Sequence, residues 1–262
     1  MNAHMSDLDA RYHAACAAVL AGGRLAQRFF NRRETLTVDT KGPQDHASAA
    51  DRDVEKLIIE LLGRAFPTDA FFGEESGGTV RDDLWVIDPI DGTTNFVHGV
   101  ASYCVSLAYV RGGAVQIGVI YDPPADELFA AQRGHGATCN GEVIQVSGCT
   151  QITQAMIGAG FSYRRPVRPF VDGIERLLNA QCEFRRAGSG ALAMAHVAAG
   201  RLDGYWEQHI NSWDVVAGLL LVEEAGGWTN DFLTPDALLK GNPILACTPA
   251  LREPLSRLTA LA

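Results

Sequence analysis

The hydrophobic period of the chain changes in its middle third, and this change constrains the fold more than any other feature of the sequence. Residues 84–88 (LWVID), 103–110 (YCVSLAYV), 114–122 (AVQIGVIYD) and 127–131 (ELFAA) are short runs rich in β-branched and aromatic side chains. They are punctuated by Gly112-Gly113 and by Asp122-Pro123-Pro124. Runs of this length between turn residues read as strands, and connections this short join antiparallel neighbours. Upstream the period is helical: Leu8, Tyr12, Ala15, Val19 and Leu20 share a face of an amphipathic helix over Asp7–Phe30. Gly42 and Pro43 break that pattern. Ser48 and Asp51 then resemble a capping box for a second helix bearing Val54, Leu57, Ile58, Leu61 and Leu62, closed by Pro67. Downstream, strands near 155–160, 183–186, 203–207 and 243–247 alternate with helices over 170–179, 191–200, 212–225 and the C-terminal end.

The expectation is a mixed α/β architecture, with helix and sheet layers built from one domain over residues 1–262. Its N-terminal half, about 1–150, carries the acidic motifs described below, and its C-terminal half covers about 151–262. Composition agrees: the chain is 47% hydrophobic and 20% charged, with no repeat or low-complexity run.

Several function classes are disfavoured. No apolar stretch reaches the roughly 18 residues a membrane-spanning helix needs, and the opening MNAHMSDLDARYHAA lacks the basic-then-apolar order of a secretory signal. The expected location is the cytoplasm. Cys16, Cys104, Cys139, Cys149, Cys182 and Cys247 form no C-x-x-C and no Cys/His pairing at zinc spacing, so they read as reduced packing residues. A net charge of -9 argues against nucleic acid or an anionic membrane as a main partner. It also means that an anionic substrate needs something positive at its site, and divalent cations are the simplest remedy.

Three acidic segments place carboxylates where elements end. In FFGEES, Glu74 and Glu75 follow a short apolar run and Gly73. In WVIDPIDGTTNF, Asp88 closes a strand, Pro89 is expected to terminate its pairing, and Asp91-Gly92 lead into Thr93 and Thr94. In NSWDVVAGLLLVEEAGG, Ser212 reads as an N-cap and Asp214 falls in the first turn of an apolar helix. Each has an ordinary explanation alone: a solvated loop, a turn, an acid complementing a helix dipole. Together they suggest more, because Asp91-Gly92-Thr93-Thr94 can open a helix whose N–H groups, with the Thr93 hydroxyl, would grip phosphate oxygens beside cation-holding carboxylates.

GEES, WVIDPIDGTTNF and WDVVAGLLLVEEAGG, in this order and at these separations, resemble the signature segments of the inositol monophosphatases. The likeness extends to KGPQD, the Asp51-containing helix start, GATCNG, GSGALAMAHVAAGRLDGYWE and the closing helix. The resemblance implies an αβαβα sandwich, a homodimer, and magnesium-dependent, typically lithium-sensitive hydrolysis of a small phosphorylated polyol, with two or three Mg2+ per site. Carried over to this sequence, it implies that Glu74, Asp88 and the Ile90 carbonyl hold a first ion and Asp88, Asp91 and Asp214 a second, with Glu74 supporting a third. Glu74, Asp91 and Thr93 would be catalytic, Glu74 and Thr93 orienting and helping to deprotonate the attacking water. Asp91, Gly92, Thr93, Gly190, Glu207 and Asp214 would contact substrate, Gly92 and Thr93 through backbone N–H groups, Gly190 through its backbone and Glu207 through a substrate hydroxyl. In one departure, DHASAAD stands for the usual D-x-V-T-x-A-D, with Ala47 and Ser48 in place of valine and threonine and Asp51 kept.

An all-oxygen ligand set suits magnesium and offers none of the softer donors zinc favours. His98 reads as structural, His209 as facing either pocket or surface, and His46 and Lys41 as ambiguous neighbours of the acidic loop. Glu223 and Glu224 read as structural or exposed. Related phosphatases of the superfamily, acting on histidinol phosphate, fructose 1,6-bisphosphate or adenosine 3′,5′-bisphosphate, remain open within the same chemistry. So does a regulatory binding role, since some bacterial relatives contact transcription machinery. A dinucleotide-binding enzyme is disfavoured because no G-x-G-x-x-G follows a strand, and a glycosidase because adjacent Glu74 and Glu75 cannot readily flank one bond.

Overall fold

The computed structural model describes residues 6–35, 38–42, 45–234 and 236–261, without the side chains of 35–48. Helix α1 (Asp7–Phe30) starts at a capping box, in which Ser6 Oγ accepts from the Asp9 N–H at 3.0 Å and Asp9 Oδ2 accepts from the Ser6 N–H at 3.2 Å. It buries the small residues Ala15, Ala18 and Ala26 against α2 (Ala49–Ala65), which buries Val54, Ile58 and Leu62. Between them, β1 (Val38–Gly42) and β2 (Asp45–Ser48) form an antiparallel hairpin. The expected roles of Lys41 and His46, and of Ser48 as a helix cap, lie outside the described side chains; Pro43 and Gln44 lie outside the described residues.

The strand-like middle forms an eight-stranded sheet. Its members are β3 (Ala70–Gly73), β4 (Gly77–Gly78), β5 (Leu84–Asp91), β6 (Cys104–Arg111), β7 (Ala114–Asp122), β8 (Glu127–Gln132), β9 (Ala137–Cys139) and β10 (Glu142–Val143), in the order β10-β9-β8-β7-β6-β5-β3-β4. From β5 to β10 each neighbour is antiparallel, as the short connections require, whereas β3 runs parallel to β5. Helix α3 (Thr93–His98) is inserted between β5 and β6. The C-terminal half builds a second, five-stranded sheet from β11 (Met156–Ala159), β12 (Glu183–Arg185), β13 (Gly204–Ile210), β14 (Trp228–Thr229) and β15 (Asn242–Cys247), ordered β12-β11-β13-β15-β14. Its helices are α4 (Val167–Asn179), α5 (Gly190–Ala198), α6 (Ser212–Glu224), α7 (Ala237–Lys240) and α8 (Arg252–Thr259).

Strand alternation assigns the two faces of the first sheet. Trp85, Ile87, Val105, Leu107, Tyr109, Ile117 and Val119 pack on α1 and α2. Leu84, Val86, Ala108, Ile120 and Phe129 point the other way, into a core shared with α5, α6 and Tyr205, Ile244 and Ala246 of the second sheet. The far face of the second sheet packs Ile157, Trp206 and Leu245 against Leu177 of α4 and Leu255 of α8. The layers therefore run αβαβα. This order explains the sequence of α5 and α6, which are apolar nearly all round (Ala191 to Ala195, Val215 to Val222) because they lie between two sheets.

Two local expectations are overturned. Pro89 does not end its strand: β5 continues to Asp91, with a bulge between Asp88 and Asp91. Proline fits there because a bulge needs no ladder N–H at that position. The N-cap of α6 is Asn211 rather than Ser212, whose hydroxyl instead donates to the Leu238 carbonyl at 2.7 Å.

Candidate metal and phosphate site

The bulge in β5 is the local event that builds the site. In a regular strand, residues three apart face opposite sides; the irregularity between Asp88, opposite Ser106, and Asp91, opposite Cys104, re-aims one of them. Asp88, Asp91 and Asp214 consequently bring carboxylate oxygens within 4.8 Å of one another. Asp214 arrives from the first turn of α6, where its Oδ2 accepts from the Asn211 N–H at 3.1 Å.

Each acid is held on its protein side. Asp88 Oδ1 accepts from the Ile90 N–H at 3.0 Å, while the buried Asp88 Oδ2 has no hydrogen-bond partner among the described residues. Asp91 Oδ2 accepts from Ser189 Oγ at 2.5 Å and from the Ala191 N–H at 2.6 Å. These contacts pin Asp91 to the start of α5. Glu74 stands just after β3, its N–H donating to the Ile87 carbonyl at 3.1 Å. Its loop is fixed by the buried Glu55 of α2, which accepts from the Glu75 and Ser76 N–H groups at 2.9 Å each. Thr93 Oγ1 donates to the Ile90 carbonyl at 2.9 Å and lies 3.4 Å from Asp51 Oδ1.

Gathering these charges away from water raises their pKa values. Burial, then the charges of Glu74, Asp91 and Asp214, push Asp88 well above the usual carboxylate range. Burial and then Asp214 push Asp91 up to about 7, against the hydrogen bonds from Ser189 and Ala191. Burial also raises Asp214. Glu207, on β13, is pushed up to about 8 by burial first, against the Tyr205 hydroxyl that donates to its Oε2 at 2.6 Å.

Glu74, Asp91, Gly92, Thr93, Gly190, Glu207 and Asp214 line one cavity of about 640 Å³. Asp88 and Ile90 are fully buried behind it. Gly92 takes a left-handed conformation (φ 97°) to start α3 immediately after Asp91. Arg164, Arg185 and Arg186 line the same cavity, Arg164 Nη1 donating to Asn211 Oδ1 at 2.6 Å and Arg185 pairing with Glu183.

His209 is not a surface residue: it is buried beside the cavity with Nε2 2.9 Å from the Lys240 carbonyl. His98 is exposed and outside the cavity lining. Glu224 accepts from the Gly134 and Gly136 N–H groups and Glu223 pairs with Arg133, both as structural contacts. Glu55, Ser189 and Tyr205 carried no signal as single residues: Ser189 and Tyr205 could have been marked by the apolar elements they border, whereas Glu55 lies among other charges on the amphipathic α2. A second group, Asp122, Glu127 and His196, also draws together, but both Glu127 oxygens accept from Arg201 at 2.5 Å, so its charge is already countered.

Comparison with known proteins gives consistent relatives. The model of the inositol monophosphatase family matches residues 7–258. An inositol-1-monophosphatase of Mesorhizobium japonicum is 38% identical over 252 residues, covering 91% of this chain and 95% of its own. The Nus factor SuhB of Pseudomonas aeruginosa is 39% identical over 244 residues, covering 88% and 89%. The solved inositol monophosphatase of Anabaena (Nostoc) superposes with a TM-score of 0.84 at 38% identity, covering 97% of each chain.

Proposed function

Because the chain belongs to the inositol monophosphatase family, we propose that it is an inositol-1(or 4)-monophosphatase, a phosphoric monoester hydrolase that cleaves myo-inositol monophosphate to inositol and phosphate with Mg2+ as cofactor. The observation that carries this reading is the trio Asp88, Asp91 and Asp214, with oxygens within 4.8 Å and Asp88 Oδ2 left without a donor. Three carboxylates drawn this close, two of them buried, repel one another unless protons or cations intervene. The donors are hard oxygens, which suits magnesium. Glu74, Asp88 and the Ile90 carbonyl would hold one ion, Asp88, Asp91 and Asp214 a second, and Glu74 would support a third. When bound, the ions supply positive charge that neutralises the acids, holds the phosphate and makes a nearby water more acidic.

The remaining work falls to the chain's own groups. Thr93 Oγ1, already 2.9 Å from the Ile90 carbonyl, would orient the attacking water, with Glu74 taking up its proton. The backbone N–H groups of Gly92 and Thr93 would position the phosphoryl oxygens. Asp91, tied through Oδ2 to Ser189 and Ala191, keeps its other oxygen for ion and substrate. Glu207 would accept from a hydroxyl of the leaving group, and the Gly190 backbone would border the ring. Water attacks phosphorus directly, so no phosphoenzyme is required. The protein would act in the cytoplasm as a homodimer, each chain one folded unit, and be sensitive to lithium.

The test is phosphate release from a panel of monoesters. Turnover of myo-inositol 1-phosphate with magnesium, abolished by chelator, is the expected result; undiminished turnover after removal of divalent ions would sink the proposal. A strong kcat/KM preference for histidinol phosphate, fructose 1,6-bisphosphate or adenosine 3′,5′-bisphosphate would move the assignment within the superfamily. The naming of several relatives as Nus factor SuhB favours one second reading, a regulatory binding protein whose phosphatase activity is secondary. Slow, metal-dependent turnover of every ester in the panel would favour it.

A further inference from the structure

Tyr205 and Glu207 are two residues apart on β13, so their side chains leave the same face of the strand. Both line the cavity while exposing only 3% and 8% of their surface. Tyr205 Oη donates to Glu207 Oε2 at 2.6 Å, the short distance expected of a hydroxyl bonded to a carboxylate. No other group among the described residues hydrogen-bonds this carboxylate, which leaves Oε1 available to the cavity.

The surrounding backbone is shaped to this pair. A Cβ at residue 160 would fall 1.9 Å from Glu207 Oε2 and 2.4 Å from Tyr205 Oη, so glycine is what admits them. The Gly160 N–H donates to the Trp206 carbonyl at 2.9 Å, which fixes that close approach to the strand residue between the two side chains. From the other side, a Cβ at residue 190 would fall 3.2 Å from Tyr205 Oη.

A glutamate carboxylate turns freely about its last torsion and offers two equivalent acceptors. Committing one oxygen to a fixed donor removes that freedom and assigns the other to the ligand. We propose that Tyr205 is a positioning residue: its hydroxyl locks the Glu207 carboxylate with Oε1 toward the cavity, making the site selective for phosphate monoesters whose leaving group carries a donor hydroxyl. This inference rests on the phosphatase reading above. It adds a residue that touches neither metal nor phosphate and acts on substrate choice through its neighbour.

The test compares glycerol 2-phosphate, whose leaving group carries hydroxyls, with p-nitrophenyl phosphate, whose leaving group has none, both with magnesium. In Tyr205→Phe the ratio of KM for glycerol 2-phosphate to KM for p-nitrophenyl phosphate rises about tenfold, the size of one well-made hydrogen bond, and the change in kcat is smaller than the change in KM. Gly160→Ala, whose methyl would push the carboxylate and the tyrosine hydroxyl apart while keeping both side chains, produces the same selective rise. In a Glu207→Gln background, Tyr205→Phe moves the ratio by less than about twofold, because the two substitutions act through one group. An unmoved ratio in both single variants, an equal rise for both esters, or full additivity with Glu207→Gln would overturn the proposal. Wild-type protein that releases phosphate from neither ester, nor from myo-inositol 1-phosphate, would overturn the phosphatase reading itself, and this inference with it.

Discussion

Asp88 stands in a strong electrostatic conflict. It is fully buried, one oxygen has no donor among the described residues, and the charges of Glu74, Asp91 and Asp214 all oppose its ionisation. A residue selected for stability alone would not be an acid here, since removing the charge removes both the desolvation cost and the repulsion. Asp88→Asn is nearly isosteric and can still accept from the Ile90 N–H, so it should leave the fold intact. If the carboxylate helps hold two ions, kcat should fall by on the order of 10³ or more. Thermal melts and steady-state rates on one preparation decide the matter: a folded Asp88→Asn protein with near wild-type turnover would rule out the metal assignment. A milder loss is expected for Ser189→Ala, which removes the 2.5 Å hydrogen bond that steadies Asp91 but leaves the Ala191 N–H in place. We expect kcat to fall about tenfold, measured at saturating magnesium, and a rate equal to wild type would mean that the hydroxyl does not help to place Asp91.

Elements show what the sequence could and could not reveal. The helix of 7–30 and the strands of the middle third were legible because one-sided burial imprints a period on the residues, and the roundly apolar α5 and α6 because two-sided burial erases it. The bulge in β5 was not legible: Asp-Pro reads as a terminator, and only pairing with β6 shows that the strand resumes at Asp91. His209 was ambiguous because its burial depends on Lys240 and Gly241, about thirty residues on, packing over the ring. Glu55 looked like any helical glutamate until its two acceptor bonds fixed the loop bearing Glu74. Long-range pairing also anchors α1, whose Arg11 donates from Nε and Nη2 to Asp69 at 2.9 and 2.8 Å, with Trp85 Nε1 completing the carboxylate at 3.0 Å. Removing Asp69 leaves Arg11 with the more exposed Asp7 alone and Trp85 Nε1 without an acceptor, so Asp69→Ala should lose about 3 kcal/mol in urea unfolding. A loss below about 1 kcal/mol would show that the pair behaves as a solvated surface contact.

At the scale of the whole molecule, the acids occupy the seam where β5 of the first sheet, α5 and α6 of the central layer and β13 of the second sheet meet, in a chain whose net charge is already -9. This placement couples the site to global stability through pH. In the metal-free protein Asp91 is pushed up to about 7 and Glu207 up to about 8, and Asp88 is raised well above the carboxylate range. In the unfolded chain these groups ionise near about 4. A folded-state pKa above the unfolded value means that the native state holds more protons between those limits. The associated stability is therefore complete below about pH 4 and is lost as pH rises through about 7 to 8. Bound magnesium favours the ionised acids, so its binding releases protons and strengthens over the same interval. With chelator, the Tm should fall between about pH 6 and pH 8.5, and the gain in Tm on adding magnesium should be larger by several degrees at the upper end. Asp91→Asn should flatten both trends, because it removes one of the groups that must lose a proton. Scanning fluorimetry across this interval reads all three quantities, and a magnesium gain independent of pH would contradict the gathering of these carboxylates at one seam.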